Sequence, residues 1–326
     1  MMENQETTHE MLDTDSLATP SILKEVLVGL SMSQKTIPPK FLYDKRGSEI
    51  YQDICGLKEY YPCRSENEIL KTYAHEMARF IGPNALIIEP GSGVAEKVKY
   101  LLLRLIKVKG YLPIEISREI LMQSVKDIQQ RFPKLHVDPI WGDFTQNIEL
   151  PQMAQEHVGK KVVFFPGSTI GNFNQAEALD FLKRYGKMLG QGGGFLIGVD
   201  LKKDKKHLIQ AYDDSEGVTA SFNLNLLNRL NREASAAFDP SSFTHQAIYN
   251  QELGRVEMHL VSKVSQLIRV NQTVFRFKEG ETIHTESSYK YNVDEFCELC
   301  SKAKLKLRKY WKDRDGMFCM YYLERD

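Results

Sequence analysis

The sequence predicts an α/β fold: a parallel sheet with helices on both faces, an inserted α+β unit, and a C-terminal antiparallel hairpin that closes the sheet. Three observations predict it. Between residues 61 and 200 short apolar runs alternate with helical periods, the pattern of parallel neighbours joined by crossover helices. From 201 to 288 that pattern gives way to charged helical sequence and then to strands of period two. Finally, LKLRKYWKD and MFCMYYLE flank a turn at Arg314–Gly316.

Each element has a local reason. The opening MMENQETTHEMLDTDS is polar and aperiodic, so residues 1–18 are expected to be a disordered tail. After Pro62, Ser65 and Glu68 have capping-box spacing and open a helix expected to run to about Phe80. ALIIEP (85–90), YLPIEI (111–116), HVDPIW (136–141), KVVFFP (161–166) and the apolar part of QGGGFLIGVD (191–200) read as five strands. Between them, Val98, Leu101, Leu102 and Leu105 mark one helix face, residues 117–131 form another helix, and Ala178, Phe181, Leu182, Tyr185 and Leu189 mark a helix capped at Asn174. NVDEFCELCSKAKL gives the last helix.

Composition narrows the chemistry. Lys+Arg and Asp+Glu both number 43 in 326 residues, so no global field draws nucleic acid or an anionic membrane, and a small ligand fits better. Arg104, Lys107 and Lys109 interrupt the most apolar stretch, which is too short to span a bilayer. Five scattered cysteines and no apolar leader point to a reducing cytosol, and a monomer is expected. The eight histidines show no metal-ligand spacing, Cys297-x-x-Cys300 reads as helical packing, and KKDKK with His207 reads as a solvated helix start. No metal is expected.

The first strand runs into Glu89-Pro90-Gly91-Ser92-Gly93, where glycines let a ligand approach the backbone at the carboxyl end of the sheet. A dinucleotide fingerprint would require glycine at position 96. Glu96 stands there and would face a pyrophosphate, so an adenosine cofactor without phosphates fits better. Glu115, ending the second strand, is placed to accept from ribose hydroxyls, and Gly142-Asp143-Phe144, ending the third, to accept from an adenine amine beside a ring. With the terminal hairpin, this outlines a Rossmann-like class I methyltransferase core using S-adenosylmethionine.

PPKFLYDKRGSEIYQDICGLKEYYPCRSENEIL (38–70), EPGSGVAEK, GDF, GSTIGN, AYDDSEGVTASFN and TESSYKY occur in that order. Through them the chain, from about residue 36, resembles the histidine-specific α-N-methyltransferases, which make trimethylhistidine (hercynine) for ergothioneine synthesis. The resemblance implies cofactor contacts at Gly91, Lys97, Glu115, Asp143 and Phe144. It implies that Asn172 and Tyr212 hold the substrate's carboxylate and amine, that Tyr43 and Tyr60 stand near the amine and imidazole, and that Glu286 and Ser288 select the imidazole. Tyr43, Asn172 and Tyr212 would align the reacting amine, with Gly167 and Met258 lining the pocket. Glu115 replaces the family's common Asp, and Pro90 its usual Leu. The expected division is a cofactor core of 61–200 plus 289–326 and a substrate-binding domain of 19–60 plus 201–288. Rival readings are an enzyme of the same build acting on tryptophan or tyrosine, and a binding protein without turnover. Without the resemblance, Glu286 and Ser288 would read as an exposed strand face.

Overall fold

Short β-branched and aromatic runs bounded by turn residues become strands, and the order in which they pair fixes where a ligand can sit. A computed structural model describes residues 12–13 and 22–326. Its strands are β1 (Leu12–Asp13), β2 (Lys35–Thr36), β3 (Leu86–Pro90), β4 (Gly110–Glu115), β5 (Ile140–Trp141), β6 (Lys161–Phe165), β7 (Gly194–Asp200), β8 (Phe243–Asn250), β9 (Arg255–Ser262), β10 (Gln266–Val270), β11 (Thr273–Phe277), β12 (Thr282–Tyr289), β13 (Leu305–Lys312) and β14 (Phe318–Arg325). Its helices are α1 (Ile22–Leu30), α2 (Lys45–Gly56), α3 (Tyr61–Ile81), α4 (Val98–Leu102), α5 (Arg118–Arg131), α6 (Gln152–Glu156), α7 (Gln175–Leu189), α8 (Lys205–Tyr212), α9 (Val218–Glu233) and α10 (Val293–Lys302).

The large sheet runs β1-β5-β4-β3-β6-β7-β14-β13. It is parallel through β7, and β14 and β13 then add antiparallel. Strand alternation divides its apolar residues between two cores. Ile88, Ile114, Phe165, Ile197 and Tyr321 face α7 and α10, while Ile87, Tyr111, Phe164, Leu196 and Tyr322 face α3, α4 and α5. The order reverses between β3 and β6, so the carboxyl ends of β3, β4 and β6 open on one crevice, where ligands bind in such sheets. A second sheet, β2-β12-β9-β8, shares a third core with α1, α2 and α9. β10 and β11 form a separate hairpin.

Four expectations need correcting. α3 begins at Tyr61 rather than at the Ser65 capping box, because Pro62 suits a first turn and the capping residues have other partners. The Ser65 hydroxyl donates to Asp313 (2.9 Å) and Glu68 accepts from the Arg314 N–H (3.1 Å). The third core strand shrinks to β5, with only an isolated bridge at Val137, since Pro139 offers no N–H to the ladder. α4 stops at Leu102, short of Leu105. The cysteines are not all free: Cys55, closing α2, and Cys63, in the first turn of α3, are joined as a disulfide across the reversal between the helices, with Cα atoms 5.5 Å apart. The tail expected over 1–18 lies outside the described residues except for Leu12–Asp13, which pair beside β5. Among the described residues no helix is long and apolar enough to cross a membrane.

The cap at Asn174 forms as expected, its side chain accepting from Ala176 (2.9 Å) and Glu177 (3.0 Å) while Glu177 accepts from the Asn174 N–H (2.8 Å). Asn174→Ala should cost about 1 kcal/mol. The check is a urea titration in which the midpoint falls and the slope does not change.

Candidate active site

At the cofactor end, β3 enters a turn in which Gly91 and Gly93 both take positive φ (66° and 53°), a conformation that favours glycine. The Gly91 and Ser92 N–H groups donate to Ile114 O at the end of β4 (2.8 and 3.1 Å). A Cβ at Gly91 would lie 3.0 Å from the Phe144 ring, so glycine is what lets this loop approach the aromatic ring. Glu115 accepts from the Gly93 and Ser117 N–H groups, both at 3.0 Å, and burial raises its pKa. Asp143 accepts from the Thr145 N–H (2.9 Å) and hydroxyl (2.6 Å) and from Lys40 Nζ (3.0 Å). Against a burial that would raise it, Thr145 and Lys40 hold this carboxyl below its usual range. A glycine cradle between one ring and two carboxylates fits an adenosine without phosphates.

Lys97 stands at the opposite end of that loop and donates to Glu66 at 2.6 Å. Glu66 is fully buried and also accepts from the Gly167 N–H (2.8 and 2.9 Å). A Cβ at position 198 would overlap Glu66 Oε1, so Gly198 makes the space for the carboxylate. Burial works against the Lys97 charge, but the Glu66 carboxylate prevails and the pKa of the lysine is raised. One carboxylate thus fixes Lys97, after the glycine loop, and the turn after β6. Sequence reasoning missed it, although a signal existed: Glu66 lies in the buried stripe Pro62, Glu66, Ile69, Leu70, Ala74, where an unpaired acid is costly.

That turn is a strained one. Gly167 (φ 82°) and Ser168 (φ 57°) are left-handed and lead into a single 3₁₀ turn, Thr169–Asn172. Ser168 Oγ accepts from the Asp200 N–H at 2.9 Å. Gly171 lies so close to β12 that a Cβ would sit 2.8 Å from Tyr289 O. The turn therefore carries Asn172 to β12, where its side chain hydrogen-bonds Glu286.

Glu286 reaches the pocket through a β-bulge. His284 pairs with His259, yet Glu286 pairs with Met258, so the extra residue, Thr285, turns the strand over. Without it, Glu286 would share the face of His284, which is why the alternation reads as an exposed strand. Met258 and Glu286 are both buried. Around them Tyr43 packs on Tyr51 and Phe222 (ring centroids 5.6 and 5.4 Å), Tyr51 on Tyr60 (6.3 Å), and Tyr60 on Tyr212 (5.9 Å). Tyr51 is a box member that sequence reasoning missed. Burial raises the phenol pKa of Tyr43, Tyr60 and Tyr212, and the charge of Glu286 adds to each. The Tyr212 hydroxyl donates to Ser288 Oγ at 2.8 Å. Burial lifts the Glu286 carboxyl to about 7, with Lys290 and Asn172 holding it from rising further.

The structure thus gathers Tyr43, Tyr60, Asn172, Tyr212, Met258, Glu286 and Ser288 at one place. Gly167 stands apart, tied to Lys97 through Glu66. The histidines are less scattered than their spacing implies. His259 and His284 stack across β9 and β12 (4.9 Å), and Glu257 joins them at 3.0 Å from His259. Arg255 already meets the Glu257 carboxylate at 2.7 Å, so its charge is matched within the protein.

A family described as histidine-specific, S-adenosylmethionine-dependent methyltransferases matches residues 22–325. The chain belongs to this family. It is 36% identical to a histidine N-α-methyltransferase of Mycolicibacterium smegmatis over 92% of this chain and 94% of that one. It is 34% identical to its counterpart in Mycobacterium tuberculosis over 91% and 93%. An L-tryptophan methyltransferase of Psilocybe serbica is 24% identical over 94% and 93%. As a family member the protein is an S-adenosylmethionine-dependent N-methyltransferase.

Glu66→Ala would leave the largely buried Lys97 ammonium and the Gly167 N–H without their acceptor. It should cost about 3 kcal/mol of stability, read as a lowered urea midpoint, and should weaken S-adenosylhomocysteine binding in calorimetry. Unchanged binding in a folded variant would remove Glu66 from the cofactor site.

Proposed function

We propose that this methyltransferase trimethylates the α-amine of L-histidine, giving hercynine. The observation that carries the reading is the pair closing the pocket. Glu286 is held as an acceptor, and Ser288 accepts from Tyr212 and Lys290, so its own hydrogen remains to donate. A neutral imidazole, with one N–H and one bare ring nitrogen, matches that pair. An indole, a phenol or a phenyl ring leaves one of the two unmatched, and an unmatched buried polar group is costly.

In this reading Gly91, Lys97, Glu115, Asp143 and Phe144 hold the cofactor, whose sulfonium supplies an already activated methyl group. Asn172 and Tyr212 orient the amino acid's head, Tyr43 and Tyr60 flank the amine and ring, and Met258 completes the wall, with Gly167 anchored beside Lys97 rather than against the ring. The division into a cofactor core (61–200 plus 289–326) and a substrate-binding domain (19–60 plus 201–288), and a cytosolic monomer, belong to the same proposal. Alignment of amine and methyl is the protein's main contribution, worth up to roughly 7–11 kcal/mol in well-oriented systems. The amine must also be unprotonated. The phenols of Tyr43 and Tyr60, pushed well above 10, stay neutral near pH 7 and act as hydrogen-bonding groups, so the proton leaves to water.

Incubating the purified protein with S-adenosylmethionine and a panel of amino acids, then weighing the products, should give trimethylhistidine and no tryptophan or tyrosine betaine. A monomethyl end point, or preference for another amino acid, would contradict the reading. Asn172→Ala should cut kcat/KM for histidine through a misplaced amine; wild-type kinetics would remove it from the site. For Glu286 the sign of the pH effect follows from its carboxyl near 7: the ionised form accepts the imidazole N–H in a stronger, charge-assisted bond, and that form gains population as pH rises from 6 to 8. The kcat/KM ratio of wild type to Glu286→Gln should therefore rise over that range, reaching roughly tenfold or more at pH 8. A flat ratio would show that the Glu286 charge is not used.

A further inference from the structure

Just past the end of β12, two residues on from Ser288, a further side chain joins the pocket wall: Lys290, whose Nζ reaches Ser288 Oγ and the Tyr212 hydroxyl. Its side chain is fully buried. Nζ lies 2.8 Å from Asp200 Oδ2, 2.9 Å from the Tyr212 hydroxyl and 2.8 Å from Ser288 Oγ, so all three ammonium hydrogens are used. The groups around it come from several elements. Asp200 also receives Lys203 and the Tyr61 hydroxyl (2.7 Å), Asp313 adds its charge on the Lys203 side, and Glu286 lies on the pocket side. Burial opposes the charge of Lys290, but Asp200 and Tyr212 hold its pKa above the ordinary value, so it is an ammonium throughout the working range.

An ammonium can only donate. It compels the oxygens of Tyr212 and Ser288 to accept, so neither hydroxyl can turn its hydrogen toward Lys290. The two hydroxyls are themselves 2.8 Å apart, and one hydrogen bridges them. One hydrogen is left over, and it can be given only to the pocket. We propose that Lys290 is a positioning residue that sets the polarity of the ring-binding pair, making the Tyr212–Ser288 couple a donor opposite the acceptor Glu286 and so requiring a bare ring nitrogen in the substrate. This rests on the histidine reading above and adds to it the residue that imposes the choice.

Wild-type enzyme should favour histidine over β-(pyrrol-2-yl)alanine, which keeps a ring N–H but has no ring acceptor, by roughly thirtyfold or more in kcat/KM. In Lys290→Met the hydroxyls are free to rotate. The KM for histidine should rise roughly tenfold with the KM for S-adenosylmethionine unchanged, and the preference over the pyrrole analogue should fall by a similar factor. Ser288→Ala should lose the same preference, and the double variant should lose little more, because both changes remove one donor. Lys290→Arg, which still only donates, should restore part of the preference. Where Lys290→Met leaves Asp200 one buried cation short and fails to fold, Asp200→Asn/Lys290→Met removes both members of that pair and the same ratio is read. Equal turnover of the two substrates by wild type, an unaltered preference in a folded Lys290 variant, or losses that multiply in the double variant would overturn the inference. If wild type does not methylate histidine at all, the proposed function fails first. If it methylates histidine selectively and the Lys290 variants keep that selectivity, only the role of Lys290 fails.

Discussion

Asp200, the last residue of β7, is a carboxylate with no solvent contact, and the geometry of the site depends on how it is neutralised. Lys290, Lys203 and Tyr61 meet it from three directions: the end of the small sheet, the segment before α8, and the first turn of α3. Taking such charges out of water costs several kcal/mol per ion, and a hydrophobic substitute of the same volume is often as stable. What the ionic cluster adds is position. A carboxylate with this many partners accepts them in only a narrow set of arrangements, so it registers the large sheet against the small one. Because Lys290 also holds Tyr212 and Ser288, that register passes directly to the pocket.

A second buried carboxylate does the same on the cofactor side. Glu66 holds Lys97 with one set of contacts and Gly167 with another, so the loop after β3 and the turn after β6 share a single anchor. Ser168, left-handed without being glycine, is strained, and strain of this kind persists only where surrounding contacts over-determine the backbone. Glu66, the Ser168–Asp200 bond and the close approach of Gly171 to β12 are those contacts. The turn is therefore rigid at the point where it presents Asn172.

Much of this was legible in the sequence, but unevenly. Apolar runs and capping residues located every parallel strand of the core that follows residue 61, and the Asn174 cap formed as read. Boundaries failed where a local signal had a tertiary use: Ser65 and Glu68 bind the C-terminal hairpin turn instead of capping α3. The pocket residues were reached by family resemblance, because the bulge at Thr285 reverses the strand face that alternation predicts. Glu66, Asp200, Tyr51 and Lys290 escaped notice because their roles lie in contacts between segments far apart in the chain. The same holds for the pairing of His259 with His284, which is a matter of register rather than spacing.

The remaining difficulty for amine methylation is to hold a nucleophile without charging it. A carboxylate placed against the amine would stabilise the ammonium and remove the lone pair from the reaction. Yet Glu286, which on the proposed reading binds the ring, lies within the same pocket. Asn172 resolves the conflict by its two-ended chemistry. Its amide N–H donates to Glu286, which leaves its carbonyl oxygen as a neutral acceptor. On the proposed reading this oxygen accepts the amine N–H and aims the lone pair while contributing no formal charge. Aspartate in that place would be isosteric but would set two carboxylates against each other. Burial of Glu286, by favouring its neutral form until an imidazole N–H is supplied, restrains the same charge from the other side.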